Sequence, residues 1–353
     1  MVSAAFFRRC LIALVAAACG ALAAEAASEP APRLPPSRPS LSAVTPRTLT
    51  VRKFGATEYV NLADVATELG LKFSWLERRR KAALVGPSSK AEIEADTRDI
   101  TVNGLRVFLG DPALDSDGRL FVSRVDFERC LTPRLRPGYG VAPRPTPKVI
   151  VLDPGHGGRD TGTSANEKVY ALDVARRAGK LLEAQGYRVV LTRDEDVFVE
   201  LKERALVAKA SKADLFVSIH FNALPNNNRT SGVEVYTFPP ALQHATGWWG
   251  TLGKDDPHLE KSEEPVNRFD HWNALLAQQI HRRFVVDLKS FDRGQKLMHL
   301  GVLRGLSCPG MLVECGFLTS EVEVRKIATP GHRQKIAEAI AEGVQDYAGL
   351  LKG

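Results

Sequence analysis

Lys148-Val-Ile-Val-Leu-Asp153-Pro-Gly-His156-Gly-Gly158 joins an apolar run to a glycine-rich loop with a histidine at its centre. Two later stretches share the form: Leu215-Phe-Val-Ser-Ile-His220-Phe-Asn-Ala223 and Met311-Leu-Val-Glu314-Cys-Gly-Phe-Leu318. Each reads as a buried strand that ends in a residue fit for zinc chemistry. In an α/β sheet the strand C-termini converge on one crevice, where ligands bind. Two histidines and a glutamate remote in sequence are therefore expected to meet, as in a hydrolase that activates water on a metal.

Around these stretches, strand and helix patterns alternate. Strands are expected at 148–153, 187–192, 214–219, 233–238 and 311–314. Helices are expected at 167–185, 201–212, 267–288 and 331–351. Such alternation implies a twisted, mostly parallel sheet with helices on both faces. The fold class expected is α/β, with a small α+β domain before it.

The loop chemistry has competing readings. A glycine-rich loop after a strand often cradles phosphate, but this glycine spacing fits neither the dinucleotide nor the P-loop pattern. His220 alone would pass for a core histidine. Glu167 opens a helix, where an acidic side chain is favoured anyway and Asn166 can act as N-cap, so spacing leaves its metal role open. Glu314 is the sharpest candidate, because a carboxylate at the end of an apolar strand needs a partner or a task.

Residues 1–26 have the basic, apolar, small-residue order of a secretory signal: Arg8-Arg9, Leu11 to Ala18, then Ala21-Leu-Ala23-Ala24. The apolar run is shorter than the about 20 residues a spanning helix needs. A Sec signal fits, and Arg8-Arg9 fits a twin-arginine signal. Ala16 is a poor residue three places before a lipidated Cys19. The expected location is periplasmic or extracellular, with no transmembrane span after signal removal. Residues 27–47 form a proline-rich linker.

Residues 48–137 contain short strand patterns, turn signals at Asn103-Gly104 and Asp117-Gly118, and a helix pattern from Leu62 to Gly70. With its Val-Asn-Leu, Val-Asn-Gly and Asp-Gly-Arg-Leu-Phe-Val-Ser segments, this unit resembles the copper-amine-oxidase N-terminal-like domain. It has no histidine, which argues against copper; attachment to a surface or partner and a spacer role weigh equally. A linker is placed at 138–147 and the catalytic domain at 148–353.

Beyond the signal, Cys130, Cys308 and Cys315 remain, an odd number. Extended chain between Cys308 and Cys315 would hold them too far apart to bridge, so all three are expected as buried thiols. The net charge of +7 suits an anionic surface or simple solubility. Basic and aromatic residues do not interleave as in nucleic-acid binders, and no nucleic-acid partner is expected.

The chain from Lys148 to Leu351 resembles the zinc-dependent N-acetylmuramoyl-L-alanine amidases. The resemblance rests on Asp153-Pro-Gly-His-Gly-Gly158, Leu191-Thr-Arg193, Leu201-Lys-Glu-Arg204, Ala213 to His220, Gly232-Val-Glu-Val-Tyr236, Asp292-Arg-Gly294, Val302-Leu-Arg304 and Val313-Glu-Cys-Gly-Phe-Leu318. It implies Zn2+ held by His156, Glu167 and His220, with Glu314 as the catalytic carboxylate. It also implies peptidoglycan as substrate, cut between N-acetylmuramic acid and L-alanine, and leaves room for an activator protein. Two departures stand out. Val169 replaces an aspartate two positions after Glu167, and Thr319-Ser320 replaces Ser-Asn, a change expected at a helix cap. A catalytically silent wall-binding protein and a zinc peptidase on a similar scaffold are the competing readings. The segment 239–270, with Trp248, Trp249 and His258, is read as a surface loop, with a lid or an inhibitory segment as the alternative.

Overall fold

The computed structural model describes residues 49–164, 166–247 and 259–352. The signal and first linker, Cys19, and Trp248, Trp249 and His258 lie outside the described residues. The described residues belong to one compact unit that begins at Ser42.

The chain opens with β1 (Val51–Phe54) and β2 (Thr57–Asn61). Helix α1 (Leu62–Glu68) follows, capped by the Asn61 side chain, which accepts from the amides of Ala63 and Asp64. Then come β3 (Lys72–Glu77), β4 (Lys81–Val85), β5 (Lys90–Glu94), β6 (Asp99–Val102), β7 (Leu105–Phe108), β8 (Leu114–Ser116) and β9 (Arg119–Ser123). The expected hairpin turns are present: Asn103 and Gly104 both have positive φ, 53° and 80°, as a two-residue turn between β6 and β7 requires. A π-type turn, Asp126–Leu131, carries the chain toward the second part.

There β10 (Val149–Pro154), α2 (Glu167–Ala184), β11 (Arg188–Leu191), α3 (Leu201–Ala210), β12 (Leu215–Asn222) and β13 (Val233–Thr237) appear in order. They are followed by α4 (Asp270–Val286), β14 (Asp292–Leu297), β15 (Gly310–Phe317), α5 (Glu321–Ile327) and α6 (Pro330–Leu350). Strands β14 and helix α5 were not expected. Asp292-Arg-Gly-Gln-Lys-Leu has no apolar alternation to announce a strand. Ser320 caps α5, accepting from the Glu323 amide, in keeping with the capping change expected at Thr319-Ser320.

The strands of this second part run β11-β10-β12-β15-β13-β14. All these pairings are parallel except β13 with β15. Interior strands buried on both faces read as continuous apolar runs, which is why β10, β12 and β15 were legible. Helices α2, α4 and α6 cover one face, over Leu152, Val217, Ile219, Val235 and Val313. The other face packs Val151, Phe216, Tyr236 and Leu312 against α3 and the turn at 301–304. The side chains of His220, Glu314 and Glu234 fall on this second face, by the two-residue alternation of strands.

The sheet does not end at β14. Gln295 pairs with Val107, and β7-β6-β5-β4-β3 extend the same sheet to 11 strands. Side chains lock the junction. Buried Arg134 donates to Gln295 Oε1 at 3.1 and 2.9 Å, and the Arg106 amide donates to Asp292 at 2.8 Å. The flanks of the 239–270 segment join the same contact. His244 meets Asp111 at 3.0 Å, Gln243 donates to Asp126 at 2.5 Å, and Arg129 pairs with Asp270 at 3.3 Å. Gln243 and His244 are buried, so this end of the segment is packed inward rather than a surface loop.

A chain beginning at Lys148 would leave β14 as an open edge and strip Gln295 of Arg134. We expect its melting temperature to fall by at least about 5 °C, since each kcal/mol lost moves a domain of this size by about 2–4 °C. Equal melting of the full and shortened chains would mean that the two parts are energetically independent.

Candidate functional site

The loop after β10 is built from beneath. Asp153 is fully buried, and its carboxylate accepts from Arg204 at 2.7 Å, Thr192 at 2.5 Å and Ser218 at 2.7 Å. Arg204 continues to the carbonyls of Pro154 and His156 at 2.9 and 3.0 Å. Arg193 binds the carbonyls of Pro154 and Gly155 at 3.1 and 2.7 Å. Burial and the neighbouring Arg204 push the Arg193 guanidinium down to about 10. Two arginines thus hold the loop by its backbone oxygens. The motifs around Arg193 and Arg204 are accounted for by this clamp.

The held loop puts His156 at φ 58°, a left-handed conformation uncommon outside glycine. Gly155 must lack a side chain, because a Cβ there would lie 2.2 Å from the His220 ring. Gly162 is equally constrained: a Cβ would lie 2.3 Å from Glu167 Oε2.

These constraints bring His156, Glu167 and His220 together, with their ligand atoms within 4.8 Å of one another. Glu167 Oε1 lies 3.0 Å from His156 Nε2 and 3.1 Å from His220 Nδ1. The two rings stand edge to face at 4.8 Å. Glu167 Oε2 accepts from the amide and hydroxyl of Thr163 at 2.7 and 2.8 Å. Burial opposes the charge of Glu167, but the hydrogen bonds and charges of His156 and His220 hold its carboxyl far below the usual range. Burial would lower the His156 pKa, yet Glu167 and Asp160 raise it above the ordinary value. Asn166 occupies the residue before α2 but makes no side-chain cap; the expectation of a capping role is corrected, and Thr163 steadies Glu167 instead.

Glu314 joins from the neighbouring strand, directly opposite His220 across the β12–β15 pair. Its Oε2 is sealed from solvent and has no hydrogen-bond partner among the described residues. Burial, then the charges of Glu167 and Glu234, raise its pKa well above the ordinary carboxyl value. The structure therefore assembles all four expected residues.

Three contributors escaped the sequence reading. Asp160 Oδ2 contacts His156 Nδ1 at 2.9 Å and so fixes which ring nitrogen of His156 faces Glu167. Its signal was an acidic residue four positions after the loop histidine. Val169, which stands where the resembled family has an aspartate, is 52% exposed. Asp153 was read as part of the loop motif, not as its buried anchor. Glu234 lies opposite Glu314 on β13 and is only 3% exposed. It is met by Lys296 at 2.6 Å, Tyr236 at 2.6 Å, Arg293 at 2.8 Å and Asn222 at 3.0 Å. These bonds outweigh burial and keep its carboxyl below the ordinary range. A charged residue inside the apolar run Val233 to Tyr236 was the available signal.

The donor set is nitrogen and oxygen, and three protein groups are the number that catalytic zinc sites use. Asp160 behind His156 matches the carboxylate–histidine pairing found at such sites. The residues present fit a divalent metal of the zinc type.

Comparison with known proteins gives the family. A family profile described as N-acetylmuramoyl-L-alanine amidase matches residues 150–346. The amidase AmiA of Escherichia coli K12 is 34% identical over 220 residues, covering 57% of this chain and 76% of that protein. A cell wall amidase of Bacillus anthracis is 33% identical over 210 residues, covering 57% of this chain and 35% of that protein. Among solved structures, an N-acetylmuramoyl-L-alanine amidase from Clostridium difficile 630 aligns with TM-score 0.47 and 32% identity, covering 57% of this chain and 97% of that one. The chain thus spans between 35% and 76% of the length of these two curated relatives. The profile covers more than half of the 353 residues and takes in the clamped loop and all four candidate residues, and the chain belongs to the N-acetylmuramoyl-L-alanine amidase family.

Proposed function

We propose that this protein hydrolyses the amide between N-acetylmuramic acid and L-alanine in peptidoglycan, with Zn2+ held by His156, Glu167 and His220. One observation carries the reading: Glu314, whose Oε2 is sealed and has no hydrogen-bond partner among the described residues, stands in register with His220 beside three residues able to hold a metal. Bound Zn2+ would supply a Lewis acid that acidifies water and polarises the scissile carbonyl.

The chain's own residues do the rest. Glu314 takes the proton of the attacking water as general base and passes it to the amide nitrogen as the C–N bond breaks. The new acid's own proton also passes to the amine, so the products are the lactyl carboxylate and the ammonium of alanine and both protons of the water are accounted for. Burial and the charges of Glu167 and Glu234 raise the Glu314 carboxyl above the ordinary value, which favours its holding the proton between the two transfers. Asp160 holds the His156 ring through Nδ1, and the Arg193–Arg204 clamp holds the loop that presents it. Glu234 keeps a second negative charge opposite Glu314, neutralised by Lys296 and Arg293.

Export fits this substrate. Residues 1–26, read as a signal, would deliver the enzyme to the periplasmic or extracellular side. Among the described residues no helix is long and apolar enough to cross a membrane.

Glu314→Gln is expected to keep its zinc content and lose at least about 100-fold in kcat, the low end of what a positioned acid–base group contributes. Unchanged turnover at normal zinc content would remove Glu314 from the chemistry. His220→Ala and His156→Asn are each expected to purify with well under one zinc per chain by elemental mass spectrometry. Asparagine is chosen at position 156 because it tolerates the left-handed backbone there. Full zinc occupancy in either variant would strike that residue from the ligand set.

A further inference from the structure

The sheet face that carries His220 and Glu314 continues past the catalytic strands. Glu234 is next in the row, and Lys296 Nζ stands 2.6 Å from it. The row then crosses to β7. There the Phe108 ring centre lies 5.9 Å from Lys296 Nζ and 4.8 Å from the Arg106 guanidinium carbon. A cleft of about 630 Å3 opens over this continuation. Tyr236, Arg293 and Lys296 line it from the catalytic strands, and Arg106 and Phe108 from the N-terminal part.

The charge of the cleft is informative. Arg293 and Lys296 share one carboxylate oxygen, Glu234 Oε1, at 2.8 and 2.6 Å, so the trio carries a net charge of about +1 with all three ionised. Arg106 is matched by Asp99 at 2.5 Å, and Arg98 and Asp96 also line the cleft. Four basic groups, Arg98, Arg106, Arg293 and Lys296, against Asp96 and Asp99 and beside two aromatic rings suit a short peptide with a few carboxylates. The length also fits. From β15 to β7 the sheet order steps through β13 and β14. At about 4.8 Å per strand this is about 14 Å, or about four residues of extended peptide.

We propose that this cleft binds the peptide side of the substrate: a short acidic peptide, laid from Glu314 across β13 and β14 onto the N-terminal part. The proposal rests on the amidase reading. It makes the 49–137 part a contributor to substrate recognition and gives the continuous sheet a use.

The test uses the full chain with muramoyl-L-alanine, a muramoyl tetrapeptide with free carboxylates, and the same tetrapeptide with its carboxylates amidated. Wild type is expected to show a KM about tenfold lower for the free acid than for the amide, the scale of one charge-assisted contact. Arg106→Gln is expected to raise KM for the free acid about tenfold and leave kcat and the cleavage of muramoyl-L-alanine unchanged; Arg106→Lys should recover part of the loss. Arg106 is at the surface, and an unchanged melting temperature would confirm that the variant folds. Equal KM for both tetrapeptides, with Arg106→Gln silent on each, would overturn the proposal while leaving the amidase reading intact. Calorimetric binding of the free acidic tetrapeptide separates the two further. Arg106-dependent binding without cleavage of any substrate would keep the cleft and sink the amidase reading, whereas binding indifferent to Arg106 would sink the cleft.

Discussion

A fully buried carboxylate, Asp153, anchors the loop on which the site depends. Its charge is met by Arg204 of α3 and by the hydroxyls of Thr192, just past β11, and Ser218 of β12. Removing one partner of such a buried pair typically costs about 3–5 kcal/mol, because the other charge is left without compensation. The same arginine holds the carbonyl of His156, so the anchor and the loop histidine are coupled through one guanidinium. The left-handed backbone at His156 persists because Arg193 and Arg204 over-determine it.

From that loop the chemistry is spread by the sheet. Parallel pairing sets His220 beside the loop, and the register of β15 sets Glu314 opposite His220. The antiparallel strand β13 then sets Glu234 opposite Glu314. One row of alternating positions thus carries a histidine and two carboxylates across three strands. The two carboxylates have different environments: Glu234 is neutralised by four donors, whereas Glu314 Oε2 has none among the described residues. On the proposed reading, that difference separates a structural carboxylate from one that exchanges a proton.

Much of this was legible in the residues, for stated reasons. Apolar runs marked β10, β12 and β15, and amphipathic spacing marked α2 and α6. Glu314 stood out because a carboxylate in such a strand demands an explanation. Glu167 did not: its place at a helix start has an ordinary explanation, and only the resemblance to a family raised it. Asp160 and Glu234 were missed because their roles arise from contacts, not from position in a pattern. Strand β14 was missed because Arg293, Gln295 and Lys296 serve polar partners instead of a core. The joining of β7 to β14 rests on one backbone pair and a few side chains. Main-chain pairing between remote edges leaves no trace in hydrophobic periodicity, so two patterns that read as separate units share one sheet.

The central claim is that a metal held by His156, Glu167 and His220, with Glu314 beside it, opens the amide between the glycan and its peptide. The most direct measurement is mass spectrometry of the products released from purified peptidoglycan by the chain from residue 27 onward, with and without a zinc chelator. The account predicts free peptides that begin with alanine, lost on chelation and restored by added zinc. Glycan fragments or internally cut peptides instead, or alanine-ended peptides that persist under full chelation, would contradict it.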